Sequence, residues 1–153
     1  MALGLEQISG AELIASAWLG VMLAWICVVD VRRFKIPDAA SLGLVAVGLG
    51  FSPWSTLVTP AIALFSAALG YGIFAGIGAL FFRWKGEDGL GLGDAKLLAA
   101  AGAWLGFRDL PILVAVAAIS ALCFAALTRQ RRIAFGPWLA GAFWMIWLVR
   151  ISA

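Results

Sequence analysis

Two aspartates stand where apolar sequence gives way to polar residues. Asp30 ends the run "VMLAWICVVD", and Asp94 follows two glycines in "GLGLGDAKLL". A carboxylate at the centre of a bilayer costs about 2.5–3.5 kcal/mol on insertion scales, so a compensating role is expected. Two carboxyl groups at one depth can share a proton. One then takes a proton from water while the other donates to a scissile carbonyl, which requires no His, Cys or metal.

The composition predicts an integral membrane protein. Of the 153 residues, 64% are hydrophobic and 12% are charged, whereas soluble domains have about 45–50% and about 25%. The net charge of +3 lies in short clusters, so it indicates membrane topology and no nucleic-acid partner. The chain contains no His, which excludes His-based metal sites and catalytic triads. Cys27 and Cys123 stand alone in apolar runs, so we expect buried small hydrophobes, with no disulfide, metal or cofactor.

Six apolar segments are candidates for membrane-spanning helices, each of which needs about 20 largely apolar residues. Four segments are clear: 12–29, 60–82, 110–128 and 134–150. Two are shorter, 38–54 and 92–107, and each alone could be interfacial or re-entrant. Trp54, Trp84 and Trp104 near the predicted ends fit an aromatic belt, although a total of eight Trp residues also permits core packing.

The basic residues favour six crossings. If all six segments cross and the N-terminus is outside, nine of the eleven Lys and Arg residues share one face, which should be cytoplasmic. The nine are Arg32, Arg33, Lys35, Arg83, Lys85, Lys96, Arg129, Arg131 and Arg132, and the other two are Arg108 and Arg150. We therefore predict an all-α membrane protein: a single polytopic domain over 1–153 with six transmembrane helices, N-out and C-out. The polar loops 30–38, 83–94 and 129–133 should be cytoplasmic.

Each aspartate also has a structural interpretation. Asp30 could be an interfacial charge that pairs with Arg33, and Asp94 could be an N-cap of the helix that follows it. Gly91 and Gly93 suggest backbone conformations closed to other residues, or the close approach of a substrate strand. The placement of both carboxylates at one membrane face favours a catalytic pair over these alternatives.

Three motifs resemble those of the prepilin peptidase family, which are GxGD membrane aspartic proteases. "GLGDAKLLAA" resembles the GxGD signature, "DVRRFKIPD" the first aspartate motif, and "FGPWLA" an element of the last helix. Presenilin-type proteases share GxGD, but their Tyr-Asp and Pro-Ala-Leu elements are not seen here. The three motifs occur in the family's order and cover most of the chain.

The resemblance implies that Asp30 and Asp94 are the two catalytic residues. The other positions matched to the motifs are Ile36, Pro37, Gly91, Gly93, Lys96, Phe135, Gly136 and Pro137. Lys96 could stabilise a nearby carboxylate, bind a lipid phosphate or only extend to the interface. Asp38 is the rival catalytic residue, but its match in the motif favours an N-cap of the second helix.

One departure from the larger bacterial members points to the short form of the family. Those members carry paired Cys-x-x-Cys zinc motifs associated with N-methylation, and this sequence has none. The resemblance therefore implies cleavage of the basic leader from Flp or tight-adherence prepilins, without methyl transfer. Expected partners are the prepilin, membrane lipid and pilus or secretion assembly proteins, at the cytoplasmic (inner) membrane.

Two rival functions stay open. A small transporter or assembly subunit could use Asp30 and Asp94 as ion-binding acids, although transport sites lie near midspan. A presenilin-like protease would cut within a span. Glu87 and Asp88 could attract a basic leader, but solvated loop charges are the more favoured interpretation.

Overall fold

The computed structural model describes residues 10–85, 91–129 and 133–152. These residues form six α-helices and a short 3₁₀ turn, Ser52–Trp54, with no strand among them. The helices are α1 Gly10–Arg33, α2 Asp38–Phe51, α3 Pro60–Lys85, α4 Leu92–Leu105, α5 Leu110–Thr128 and α6 Gly136–Ile151. The all-α prediction is confirmed, and each helix corresponds to one predicted apolar segment.

The largest difference in helix bounds lies beside Asp30. The sequence pattern predicts a loop over 30–38, but α1 continues to Arg33. The reason is that residues 31–33 include no Pro or Gly, so the helix continues until Phe34, whose φ of 51° ends it. The C-terminal end of α2 also differs from the predicted bound. This helix ends at Phe51 and not at residue 54, because Pro53 cannot continue an α-helix.

The other two predicted loops are also shorter where the structure describes them. In 83–94, α3 continues to Lys85 and α4 begins at Leu92, so Asp94 lies in the first turn of a helix. Residues 86–90, which include Glu87 and Asp88, and residues 130–132 lie outside the described parts of the chain.

The central element is α4. Ala95 and every residue from Leu97 to Leu105 are buried, and α4 packs against α2, α3 and α6. Small residues permit this close packing. A Cβ at Gly70 of α3 would lie 2.8 Å from the carbonyl oxygen of Leu98, and the backbone of Ser66 approaches Gly102 as closely. Apolar membrane helices associate through such van der Waals contact between small residues.

Aromatic side chains fix the helices at the end of α4 remote from Asp94. Trp104 donates from Nε1 to the Leu44 carbonyl at 2.9 Å, and its ring meets Trp147 edge-on at 5.1 Å. Trp147 in turn donates to Ser16 Oγ at 2.9 Å. Trp104 is 1% exposed, so its proposed place in an aromatic belt is wrong, and core packing explains it.

Three helices, α1, α3 and α5, are long and apolar enough to cross a membrane by themselves. The helix α6 is a shorter apolar helix of 16 residues, and α2 and α4 have 14 residues each. Large apolar side chains on the long helices face outward, among them Leu122 and Leu127. In a membrane protein this outer surface is the one that lipid covers.

The ends of the helices gather at two opposite ends of the bundle. A cleft at one end is lined by the C-terminal part of α1, the starts of α2 and α4, and the residues before α6. A cavity of about 390 Å³ at the other end is lined by residues near the start of α3, the end of α4 and the end of α6. There Arg150 donates two hydrogen bonds to Asp109, at 2.9 and 2.7 Å.

Candidate active site

The cleft between the ends of α1, α2, α4 and α6 contains both predicted catalytic aspartates. Its volume is about 700 Å³, within the range of pockets that enclose small ligands or short peptide segments. The lining residues come from three separate stretches of sequence: Asp30, Phe34, Lys35, Ile36 and Asp38, then Gly91, Leu92, Gly93, Asp94 and Lys96, then Ile133, Ala134 and Phe135. The three motif regions therefore meet at one place.

Asp30 is buried in the last turn of α1, with 5% of its surface exposed. Its Oδ2 accepts a hydrogen bond from the backbone N–H of Gly136 at 3.1 Å. The ion pairs found among the described residues are Lys96–Asp38 and Arg150–Asp109, so the alternative pairing of Asp30 with Arg33 is not seen. The partner of Asp30 is therefore the start of α6.

Asp94 is the third residue of α4 and is partly buried. The N-cap position is held by Gly91, and no side chain caps the helix. The structural interpretation of Asp94 as an N-cap is therefore wrong, because the helix begins three residues earlier than that interpretation required. Asp94 lines the same cleft as Asp30.

The two glycines before Asp94 have different surroundings. The backbone of Gly91 is extended, with φ −69°, and the one glycine with positive φ in the described chain is Gly106. Unusual backbone angles therefore do not explain Gly91 and Gly93. Close packing explains Gly93, because a Cβ there would lie 2.8 Å from the Cβ of Ile36. At Gly91 the nearest atom would be Asp94 Oδ2, at 3.7 Å.

Ile36 lies between two motif glycines. Besides its contact with Gly93, its Cδ1 would lie 3.1 Å from a Cβ at Gly136. The chain reaches this position through Phe34, which has φ 51° and donates from its N–H to the Asp30 carbonyl at 2.7 Å. Pro37 then precedes α2. The short link from α1 to α2 therefore packs against the N-terminal ends of both α4 and α6.

Lys96 and Asp38 form an ion pair at the edge of the cleft, with 2.6 Å between Nζ and Oδ1. The carboxylate partner of Lys96 is thus Asp38 and neither of the two central aspartates. Asp38 is the first residue of α2 and follows the N-cap Pro37, without a side-chain cap bond. The expectation that Asp38 is the N-cap is wrong by one position, although its charge still suits the first turn of a helix.

Some contacts of this site could not be anticipated from sequence patterns. The Gly136–Asp30 hydrogen bond joins residues 106 positions apart. In the sequence, only the shared resemblance of their motifs to one family indicated that these two residues belong to the same site. The exposed ring of Phe34 in the cleft was also missed, since a non-glycine residue with positive φ leaves no sequence signal. No group of three His, Cys, Asp or Glu residues that could hold a metal occurs in the parts of the chain described.

Comparison with known proteins shows which sequences this chain is similar to. Residues 17–126 match the family model described as the type IV leader peptidase family. A prepilin leader peptidase/N-methyltransferase of Pectobacterium carotovorum subsp. carotovorum is 39% identical, over 95% of this chain and 56% of that protein. One from Escherichia coli (strain K12) is 36% identical, over 79% and 59%. One from Burkholderia pseudomallei (strain 1026b) is 38% identical, over 91% and 47%.

The chain spans about half the length of the curated relatives that it matches. No solved structure matches it. The family model covers both cleft aspartates and the Gly91–Asp94 segment, whereas Phe135, Gly136 and Pro137 lie beyond its last matched residue. Since the model matches well over half of the sequence and the relatives share more than a third of the aligned residues, this chain belongs to the type IV leader peptidase family.

Proposed function

We propose that this chain is a membrane aspartic endopeptidase that removes the basic leader peptide from type IV prepilins. The observation that carries the proposal is that Asp30 of α1 and Asp94 of α4 line one cleft. The family is one of leader peptidases, and in a chain without His a pair of carboxyl groups can supply both an acid and a base. Neither the acid nor the base needs a cofactor.

The chemistry follows from the pair. One carboxylate takes a proton from a water molecule, which attacks the scissile carbonyl, while the other carboxyl group protonates the carbonyl oxygen. The substrate segment must be extended, because helical carbonyls are engaged in hydrogen bonds and covered by side chains. An open cleft of about 700 Å³ at a helix-bundle end has room for such a segment.

The proposed topology is six crossings of the cytoplasmic membrane, with both termini outside and the cleft at the cytoplasmic face. The nine-to-two distribution of basic residues supports this orientation. The cleft end carries Arg32, Arg33 and Lys35, whereas Arg108 and Arg150 lie at the other end. With 14 residues, α4 is about 21 Å long, and its central position means that neighbouring helices, and not lipid, surround it.

The finer substrate class rests on the sequence resemblance. We propose Flp or tight-adherence prepilins, cut after a Gly at the cytoplasmic border of the pilin's hydrophobic helix. The 153 residues contain two cysteines, Cys27 and Cys123, and no Cys-x-x-Cys pair. We therefore propose that a polypeptide of these residues cleaves its substrate without methylating it. Further partners would be membrane lipid and the pilus or secretion assembly that receives the product.

The alternative of an ion-binding transporter or assembly subunit is less well supported. Transport sites lie near the bilayer midplane, but Asp30 is in the last turn of α1 and Asp94 is in the first turn of α4. Both carboxylates thus lie at one end of the bundle. Family membership also favours the peptidase.

Co-expression with candidate prepilins tests the proposal. The expected result is a shortened pilin on a gel and, by mass spectrometry, a product that begins after the Gly and carries an unmethylated amino group. A product that is cleaved and methylated would contradict the proposed absence of methyl transfer but not the peptidase function. Uncleaved prepilins of every class tested, with the enzyme in the membrane, would contradict the peptidase function.

A further inference from the structure

The start of α6 offers one backbone donor to Asp30. Gly136 is the first residue of the helix, and its N–H donates to Asp30 Oδ2 at 3.1 Å. Pro137 has no N–H, and the N–H groups of Trp138 and Leu139 donate to the Phe135 carbonyl at 3.1 Å each. The Phe-Gly-Pro sequence therefore leaves the Gly136 N–H as the donor of this turn that is directed at the carboxylate.

Only a glycine leaves room for this contact. A Cβ at position 136 would lie 2.5 Å from Asp30 Oδ2 and 3.1 Å from Ile36 Cδ1. The relative position of α1 and α6 is fixed by their packing and, at the far end of the bundle, by the bond from Trp147 to Ser16. The donor is consequently in place before any substrate binds.

Among residues 10–85, 91–129 and 133–152, Asp94 has no backbone donor that corresponds to Gly136 at Asp30. Asp30 lies near the N-terminus of α6 and Asp94 near that of α4, and a helix dipole favours a negative charge there. The dipoles of these two helices therefore do not distinguish the aspartates. What distinguishes them is the direct hydrogen bond, which stabilises a carboxylate more than a neutral acid.

The other charged groups of the cleft do not reverse the stronger stabilisation of the ionised form at Asp30 than at Asp94. Lys96 is paired with Asp38 at 2.6 Å, which neutralises both charges. The last turn of α1 disfavours a negative charge at Asp30, but Arg32 and Arg33 occupy that same turn and offset it. Lys35 also lines the cleft.

We infer that Gly136 is a positioning residue that holds Asp30 as the ionised member of the pair, so that Asp30 is the general base and Asp94 the general acid. The inference rests on the proposed peptidase function and assigns roles within it. The Asp30 carboxylate takes a proton from water, the remaining hydroxide bonds to the scissile carbon, and Asp94 gives its proton to the carbonyl oxygen. Asp30 then passes its proton to the amide nitrogen as the C–N bond breaks, and Asp94 recovers a proton from one of the two hydroxyl groups. Both carboxyl groups thereby return to their starting state.

Two reagents distinguish the roles in the wild-type protein without any substrate. An alkyl epoxide is opened by an ionised carboxylate, whereas a diazoacetyl ester alkylates a protonated carboxyl group. In vesicles near neutral pH, peptide mass mapping should find the epoxide on Asp30 and the diazo label on Asp94. The exposed carboxylate of Asp38 should carry the epoxide and serves as the internal control. The reverse pattern, or equal labelling of both residues by either reagent, would overturn the assignment.

A matched pair of variants tests Gly136 itself. Gly136→Ala should lower kcat for prepilin cleavage by roughly 10- to 100-fold, the worth of a hydrogen bond to a charged group, with little change in KM. In the pH profile of kcat, the acidic limb, where activity falls as the pH is lowered, should move to higher pH. The reason is that Asp30, the base, is more easily protonated without this hydrogen bond. Gly141→Ala is the same substitution in the same helix, at a position where an added Cβ would meet no atom within 4 Å. It should leave both kcat and the acidic limb of the pH profile unchanged.

A lower kcat with the limb unmoved would show that Gly136 has only a steric role, and would overturn the inference. If Gly136→Ala has no measurable activity, the labelling of the wild-type protein decides whether Asp30 is the ionised member of the pair. Failure of the wild-type protein to cleave would instead count against the proposed function, so the two failures are distinguishable.

Discussion

At the scale of single residues, the two glycines of the GxGD motif should differ in their tolerance of a side chain. A Cβ at Gly93 would meet the Cβ of Ile36 at 2.8 Å, whereas at Gly91 the nearest atom would be 3.7 Å away. Overpacking of this kind typically costs about 1–3 kcal/mol. We expect Gly93→Ala and Gly93→Val to reduce cleavage by roughly 10-fold or more while the protein still inserts in the membrane.

Cleavage rates in membranes, normalised to the amount of enzyme, check this prediction, with Gly91→Ala as the matched variant of smaller effect. Processing by Gly93→Val close to the wild-type rate would show that contact between α4 and the link 34–37 does not matter for the site. The expected damage comes from this close contact and not from an unusual backbone angle at the glycine.

At the scale of helices, the close approach of α3 and α4 should be the most sensitive contact for stability. The backbone of Ser66 lies against Gly102 with no space for a methyl group. Gly102→Ala should therefore lower the thermal unfolding midpoint of the detergent-solubilised protein, by an amount equivalent to roughly 1–3 kcal/mol. Gly72→Ala is the control, because a Cβ at Gly72 of α3 meets no atom within 4 Å. Equal midpoints for the two variants would contradict the close contact between α3 and α4.

The sequence pattern predicted the helices well and their contacts poorly. Apolar length and the positions of proline located all six helices to within a few residues, because those signals are local. The continuation of α1 past Asp30 was missed, since charged residues after an apolar run also indicate a loop. The burial of Trp104 and the place of Ile36 between Gly93 and Gly136 depend on helices far apart in sequence. Such contacts leave no periodic signal in a single sequence.

At the scale of the whole molecule, the proposed orientation predicts which residues a reagent outside the cell can reach. In a background without Cys27 and Cys123, a single cysteine at Phe34 should resist a membrane-impermeant thiol reagent added to intact cells. Phe34 is exposed at the cleft end. A cysteine at Thr59, which is exposed just before α3 at the other end, should react readily. The opposite result would invert the topology, and reaction at both sites would mean that α1 or α2 does not cross as proposed.

The central claim is that Asp30 and Asp94 act together as one catalytic pair, and cleavage by their substitutions tests it most directly. The measurement is the rate of prepilin processing in membranes that contain equal amounts of wild-type enzyme, Asp30→Asn, Asp94→Asn or the double variant. We predict that each single substitution lowers the rate by roughly 10²–10⁴-fold and that the double variant is scarcely worse, because catalytic partners are not additive. Asp38→Asn, which removes the exposed partner of Lys96, should keep most of the activity. Substantial processing by either single variant, or an inactive Asp38→Asn, would contradict the assignment of the pair.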